Sequence, residues 1–474
     1  MAVGAPLNDA SGSGQTNAGH VRVWVHLSKE GKPEWVQKGQ DIDGQKEGDQ
    51  SGYAVSLSSD GDTVAIGAPY NDHNGIDAGN VRVWWYTGAG SRWVQKGHDI
   101  EGEAAGDNSG YSVSLSADGN TVAVGAFGND GNGISSGHVR VWTYIRGVWT
   151  QRGGDINGEA AGDRSGWSVS LSADGDTVAI GAPYNDDGGI SAGSVRVWMY
   201  AGGTWTQKGG DIDGEAVADF SGWSISLSAD GKTVAVGAMG NDGGGSESGH
   251  VRVWTFEDGG TWKQKGGDLD GEASEDQSGF SVALSSDGNT VAVGAVGNDG
   301  NGIRSGHVRV STFSEGDWES EEEDIEGEGA EDLSGFAVAL SGDGDTVAVG
   351  SPATSSGHVR VFHSNRKGVR VEEWVIPVSL VLFAVLVTAL VVLFWYCERN
   401  RKRKAANLVS AAETQTEEQA VEGKPGQDLD LQNEPDRNIT VIVPQESEEV
   451  HNFSERPVSA PDQERSVKDL EKGN

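Results

Sequence analysis

The stretch "DINGEAAGDRSGWSVSLSADGDTVAIGAP" (155–183) decides the fold of this chain. It begins with oxygen-bearing side chains at alternate positions. It then runs through two short segments in which Val or Ile alternates with small or polar residues, the period of a β-strand. The Asp-Gly between the two segments favours the tight turn of an antiparallel hairpin. The stretch therefore predicts an acidic segment followed by a β-hairpin.

Related text occurs six times along the chain. The first Asp of each copy recurs every 56 to 58 residues, at Asp41, Asp99, Asp155, Asp211, Asp268 and Asp324. One copy holds four strand patterns, "SVSLS" (168–172), "TVAIGA" (177–182), "SVRVWMY" (194–200) and "TWTQKGG" (204–210). Four antiparallel strands per repeat are typical of a propeller blade. The alternative is a stacked solenoid, which usually has shorter repeats with fewer strands.

Counting the units predicts an all-β fold, a β-propeller of about seven four-stranded blades over residues 1–366. The first unit starts at "MAVGAP" (1–6), inside its second strand, so we expect its inner strand and a secretory signal to be encoded upstream of Met1. The last unit lacks a clear fourth strand, for which "GVRVEEW" (368–374) is a weak candidate.

Two positions in each copy resemble a known family. Gly followed by an aromatic residue precedes the first strand pattern, at Gly52-Tyr53, Gly110-Tyr111, Gly166-Trp167, Gly222-Trp223, Gly279-Phe280 and Gly335-Phe336. "GAP" ends the second pattern at 67–69 and 181–183, with related triplets elsewhere. These residues are similar to the FG-GAP repeat, the blade unit of integrin α-subunit propellers. The resemblance covers about residues 1–363 and implies a propeller used in binding or adhesion, although a fold alone does not determine a function.

Acidic or amide side chains occupy positions 1, 3, 5 and 9 of the segment before each aromatic residue, which we call the linker. Four linkers hold the candidate metal ligands Asp99, Glu101, Glu103 and Asp107; Asp155, Asn157, Glu159 and Asp163; Asp211, Asp213, Glu215 and Asp219; and Asp268, Asp270, Glu272 and Asp276. Related residues are Asp41, Asp43, Gln45 and Asp49, and Asp324, Glu326, Glu328 and Asp332. Calcium takes six to eight oxygen ligands in irregular geometry, so each linker is a candidate Ca²⁺ site. The alternative is a blade-to-blade hinge, in which the last Asp caps the turn into Ser-Gly.

The segment between the second and third strand patterns, which we call the second loop, is rich in turn-forming residues. Its copies include "YNDHNGIDAG" (70–79) and "GNDGNGISSG" (128–137), and Asp72, Asp130, Asp186 and Asp299 are candidate positions for a weak cation site. The third pattern often opens with "GHVRV", at His20, His138, His250, His307 and His358. A His that recurs from blade to blade indicates packing rather than catalysis. The Arg two residues later is expected to pair with the neighbouring linkers.

A hydrophobic segment follows the repeats. "VIPVSLVLFAVLVTALVVLFWY" (375–396) has no charged residue, and at 1.5 Å per residue it spans about 33 Å, enough for a bilayer core. Trp374, Trp395 and Tyr396 lie at its ends, and five basic residues at 399–404 follow it. These flanks predict a transmembrane helix at 375–396, preceded by a juxtamembrane linker at 367–374. The charged remainder, 397–474, lacks a hydrophobic core and is predicted to be a disordered cytoplasmic tail.

Composition limits the classes of function. The net charge of −37 argues against nucleic acid as a partner and favours cations or basic partners. No nucleotide loop, Cys cluster or Ser-His-Asp order stands out. We therefore expect a non-enzymatic, integral protein of the plasma membrane, whose extracellular propeller mediates adhesion or recognition of a protein or glycan ligand. The alternatives are a structural, cation-binding coat protein and an extracellular propeller enzyme.

Overall fold

A computed structural model describes residues 1–9, 16–29, 32–88, 90–320, 323–352, 357–363 and 374–377. All of them lie in one compact unit of the chain, Met1–Arg399. They form seven antiparallel sheets, and from the second sheet to the seventh each inner strand contacts the inner strand of the next. The prediction of an all-β propeller with seven blades is confirmed.

Each full blade runs from an inner strand outward through three more strands, and a two-residue edge strand follows the fourth. The inner strands of blades two to seven are Ala54–Leu57, Ser112–Leu115, Ser168–Leu171, Ser224–Leu227, Ser278–Leu284 and Ala337–Leu340. The second strands of blades one to seven are Ala2–Ala5, Thr63–Ala68, Thr121–Ala126, Thr177–Ala182, Thr233–Ala238, Thr290–Ala295 and Thr346–Ser351. The third strands are His20–Lys29, Asn80–Thr87, His138–Ile145, Ser194–Ala201, His250–Phe256, His307–Ser314 and His358–His363. The fourth strands are Lys32–Gln37, Arg92–Gln95, Val148–Gln151, Thr204–Gln207, Trp262–Gln264, Asp317–Ser320 and Trp374–Pro377. The edge strands of blades one to six are Ile42–Asp43, Ile100–Glu101, Ile156–Asn157, Ile212–Asp213, Leu269–Asp270 and Ile325–Glu326.

The last blade ends differently from the sequence prediction. Its fourth strand is Trp374–Pro377, which pairs antiparallel with His358–Val361. This strand lies beyond the predicted propeller boundary at residue 366. It takes in Trp374 of the predicted juxtamembrane linker and the first three residues of the predicted span, and the bounds of both segments stay predictions. Val and Ile suit a strand as well as a membrane helix, so local pattern could not separate the two.

The hydrophobic core lies between blades. Val139 and Val141 on the third strand of blade three pack against Val178 and Ile180 on the second strand of blade four, and all four side chains are buried. The same arrangement recurs at the neighbouring junctions. Each blade is covered by the next, which explains why one blade alone could not bury its apolar face.

A tryptophan on the fourth strand joins consecutive blades, a contact that sequence reasoning missed. The indole nitrogen of Trp149 donates a hydrogen bond of 2.6 Å to the backbone oxygen of Lys96 in the preceding blade. The ring edge of Trp149 lies against Gly97, where an added Cβ would come within 2.7 Å of it. Equivalent bonds join Trp93 to Lys38, Trp205 to Arg152, Trp262 to Lys208 and Trp318 to Lys265.

The rest of the predicted membrane span, 378–396, and the predicted tail, 397–474, lie outside the described residues. Among the residues that are described, no helix has the length and apolar character needed to cross a membrane.

Candidate functional site

The linkers and the second loops lie at the same end of the propeller, which we call the loop face. Gly79 at the end of one second loop forms a parallel bridge with Ser109 at the end of the linker that follows, and four further junctions repeat this bridge. The opposite end carries the Asp-Gly hairpin turns. In one of them Ser172 donates to Asp174, and the backbone nitrogen of Thr177 donates to Ser172.

The ninth-position aspartates of the linkers are buried and hold the backbone in place. Oδ2 of Asp163 accepts the backbone N–H of Ala160 at 2.8 Å and the side-chain amide of Asn185 at 3.3 Å. Asp107 accepts the backbone N–H of Ala104 and the side-chain amide of Asn129 in the same way. This position therefore fastens the linker to the second loop of the next blade.

The remaining linker carboxylates meet partners from other segments. Ligand atoms within 4.8 Å of one another occur in the groups Glu103, His138 and Asp155; Glu215, His250 and Asp268; Glu272, His307 and Asp324; His20, Asp41 and Asp43; and Glu159, Asp187 and Asp211. Most groups thus combine position 5 of one linker with position 1 of the next. The four positions of one linker do not converge on one point.

Third-position residues lie on the edge strands and face the second loop of their own blade. Glu101 lies 3.2 Å from Nδ1 of His73. The side-chain oxygen of Asn157 lies beside Gly131. Asp213 and Asp270 occupy the same register on their edge strands, opposite Ser194 and His250.

In blades three to six, the recurring Arg of the third strand pairs with the fifth-position Glu of the preceding linker, in line with the predicted pairing to neighbouring linkers. The Arg–Glu distances are 3.1 Å for Arg140–Glu103, 3.4 Å for Arg196–Glu159 and 2.9 Å for Arg252–Glu215. Arg309 contacts both Glu272 and Asp324. Because an Arg side chain already offsets part of the negative charge of the carboxylates in these groups, their net charge is low.

The histidine of the first group is buried and neutral at physiological pH. Burial, assisted by the charge of Arg140, lowers the pKa of His138 to about 4. A neutral imidazole beside two carboxylates can ligate a transition metal more readily than calcium, which prefers oxygen. In this group, one nitrogen and a nearby guanidinium fit calcium poorly, and the binding of Ca²⁺ by the linkers stays a prediction.

Aromatic residues line the inner edge of the loop face. The aromatic residue that follows the recurring Gly before each inner strand contacts the equivalent ring of the next blade. The distances between ring centres are 4.8 Å for Tyr53–Tyr111, 4.8 Å for Tyr111–Trp167, 4.8 Å for Trp167–Trp223, 5.9 Å for Trp223–Phe280 and 5.1 Å for Phe280–Phe336. The aromatic positions were visible in the sequence, but their contacts follow from the order in which the blades pack side by side.

Comparison with known proteins identifies the repeat. The sequence matches the FG-GAP repeat over residues 42–84, 101–142 and 157–198, and no curated protein matches it. Among solved structures, a periplasmic gluconolactonase of Pseudomonas aeruginosa is similar at 17% identity and a TM-score of 0.54, covering 80% of this chain and 96% of that one. A putative 6-phosphogluconolactonase of Bacteroides uniformis is similar at 12% identity and a TM-score of 0.50, covering 80% and 97%. At these identities the likeness shows the fold alone.

Proposed function

Because this chain is a seven-bladed β-propeller built of FG-GAP repeats, we propose that it is a membrane-anchored, non-catalytic recognition protein. Its propeller lies outside the cell and binds a protein or glycan through the loop face. Its C-terminal tail lies in the cytoplasm.

The main support for this proposal is the structural difference between the two ends of the propeller. The loop face gathers all the described linkers and second loops, together with exposed aliphatic and aromatic side chains. The opposite end has short hairpin turns. Binding residues are commonly found on loops that a rigid scaffold holds in place.

The distribution of titratable residues favours binding over catalysis. The Glu, His and Asp groups recur at equivalent places in several blades. An active site needs one constellation set apart from the others, with its pKa values tuned to the reaction. Repeated, Arg-neutralised groups are typical of structure and of multivalent contact.

Membrane anchoring is supported by the sequence that follows the last blade. With Trp374–Pro377 in the propeller, the apolar segment that remains is 378–396, about 28 Å as a helix and close to the thickness of a bilayer core. The basic cluster at 399–404 on its C-terminal side supports a cytoplasmic tail.

Anchoring and orientation can be tested on the full chain, expressed in cultured cells behind an added cleavable secretory signal. We expect it to stay in the membrane pellet after alkaline carbonate extraction. Leu386→Asp with Leu390→Asp should release it, whereas Leu386→Ile with Leu390→Ile should not. The tail holds the glycosylation sequons at Asn438 and Asn452, which can be modified only on the lumenal side. A glycan-dependent mobility shift abolished by Asn438→Gln with Asn452→Gln would place the tail outside and contradict the proposal.

Use of the loop face can be tested by blocking one end at a time. In a Cys397→Ser background, Ala160→Cys places a thiol on an exposed linker position and Thr204→Cys places one at the opposite end. After attachment of a maleimide polymer, binding to arrayed glycans and cell-surface proteins should be lost for the first variant and kept for the second. Equal binding by both would argue against recognition through the loop face.

A further inference from the structure

Four isoleucines protrude from the second loops at equivalent places. Their side chains are 73% exposed at Ile76, 78% at Ile134, 71% at Ile190 and 67% at Ile303. A single exposed aliphatic residue is ordinary. Four exposed isoleucines at the equivalent position of four second loops, all on one face of the propeller, require an explanation.

The fold does not need these side chains. The second loop is shaped by backbone bonds, since the carbonyl of Ile76 accepts the N–H of Gly106 and the carboxylate of Asp72 accepts the N–H of Asp77. Blade five carries Ser246 in place of the isoleucine. Its carbonyl accepts the N–H of Glu275 at the same distance of 2.8 Å, and the N–H of Glu247 still donates to Asp242. Because the loop keeps its shape with Ser, the isoleucines do not serve folding.

The apolar surface around each isoleucine extends onto the adjoining linker. The carbonyl of Ile190 accepts the N–H of Ala218, which brings the exposed Val217 beside it. Val217 also lines a shallow pocket together with Phe220 and Met239 at the junction of blades four and five. The exposed Ala160 and Ala161 follow the second loop of blade three in the same way.

Acidic side chains accompany every isoleucine. An exposed aspartate stands four residues before each of them, at Asp72, Asp130, Asp186 and Asp299, and accepts the backbone N–H that follows the isoleucine. The chain as a whole carries −37. Such a surface repels anionic lipid headgroups, and aliphatic tips offer no flat platform to a sugar. A partner with both cationic and aliphatic groups matches the pattern.

We propose that the four isoleucines and their aspartates form a multivalent docking surface for a cationic polypeptide that carries aliphatic side chains. This inference rests on the proposed recognition function and gives the chemical class of its partner. The aspartates attract the partner over distance, while burial of the isoleucines supplies most of the selectivity.

The probe is a synthetic peptide of alternating Lys and Leu, with a Lys-Ser peptide of equal length and charge as reference. Binding to the full chain is measured by fluorescence anisotropy at physiological salt. Replacing Ile76, Ile134, Ile190 and Ile303 with Ser should weaken binding of the Lys-Leu peptide by at least about tenfold. Binding of the Lys-Ser peptide should be unchanged. The matched control replaces four exposed apolar residues away from the loop face with Ser, namely Leu27, Ile145, Val148 and Met199.

Equal affinity of the Lys-Leu peptide for the wild type and the four-isoleucine variant would overturn the inference, as would an equal loss in the control variant. Thermal melting of both variants shows whether they fold, and we expect wild-type melting of the four-isoleucine variant because blade five already carries Ser at this position. The result is separable from the proposed function. Polymer blocking at Ala160 can still abolish binding of a natural ligand even where the Lys-Leu peptide shows no preference for the isoleucines.

Discussion

Replacing Asp163 with Ala should lower the free energy of unfolding by about 2–4 kcal/mol, because it leaves a part-buried backbone N–H and a buried side-chain amide without an acceptor. The carboxylate is 4% exposed and accepts the backbone N–H of Ala160 and the side-chain amide of Asn185. Asp163→Asn keeps an acceptor oxygen but loses its charge, so it should cost about half as much. Asp155→Ala removes an exposed carboxylate bonded to Gln151 and should cost less than about 1 kcal/mol.

The assay is denaturant unfolding followed by circular dichroism, performed once with a chelator and once with millimolar calcium. If Asp163 is a hinge residue, the ranking of the three variants and the size of each loss are the same in both conditions. A calcium site in this linker would instead stabilise the wild type by about 2.7 kcal/mol at a hundredfold excess over Kd. It would also make the losses at Asp155 and Asp163 similar and calcium-dependent. A loss below about 0.5 kcal/mol at Asp163 in both conditions would refute the hinge reasoning.

Two further predictions concern the contacts between blades. Trp149→Ala should destabilise the propeller by about 3–5 kcal/mol. Trp149→Phe, which loses the hydrogen bond to the Lys96 carbonyl, should cost about 1–3 kcal/mol. The control is Trp85→Phe at a half-exposed tryptophan, and equal losses at both sites in denaturant unfolding would contradict the role of Trp149. The pKa of His138 is lowered from 6.5 to about 4 in the fold, so the unfolded chain binds the proton more tightly. Stability contributed by the neutral imidazole should therefore be complete above pH 6.5 and be lost as the pH falls towards 4. His138→Asn, which copies Asn80 of blade two, should flatten this part of the stability profile, and an unchanged slope would rule out His138 as its cause.

The separation of the linker carboxylates could not be predicted from their spacing. Positions 1, 3, 5 and 9 suggest one ligand set because they lie close together in sequence. In the structure, Asp155 meets Glu103 of the preceding linker, while Asp163 turns inward to Asn185. Which carboxylate meets which depends on how neighbouring blades are placed against one another, and spacing within one linker holds no information on that.

The sequence alone determined the repeat, the strands and the class of fold. The period of 56 to 58 residues, the alternation of Val with small residues and the Asp-Gly turns can all be seen in the sequence. They specify four-stranded blades without any knowledge of tertiary contacts. The pairing of the third-strand Arg with a linker carboxylate in blades three to six also followed from charge and repetition.

Tertiary structure decided which repeated residues are structural and which face the solvent. Trp149 and Ile134 both read as apolar residues of a repeat. The first is buried against Gly97 of the preceding blade, and the second stands exposed at a loop tip. The last strand, Trp374–Pro377, was likewise hidden in an apolar run that also suits a membrane helix. Burial depends on what the neighbouring blade covers, and that is set by the packing of blades in the propeller rather than by any stretch of the chain.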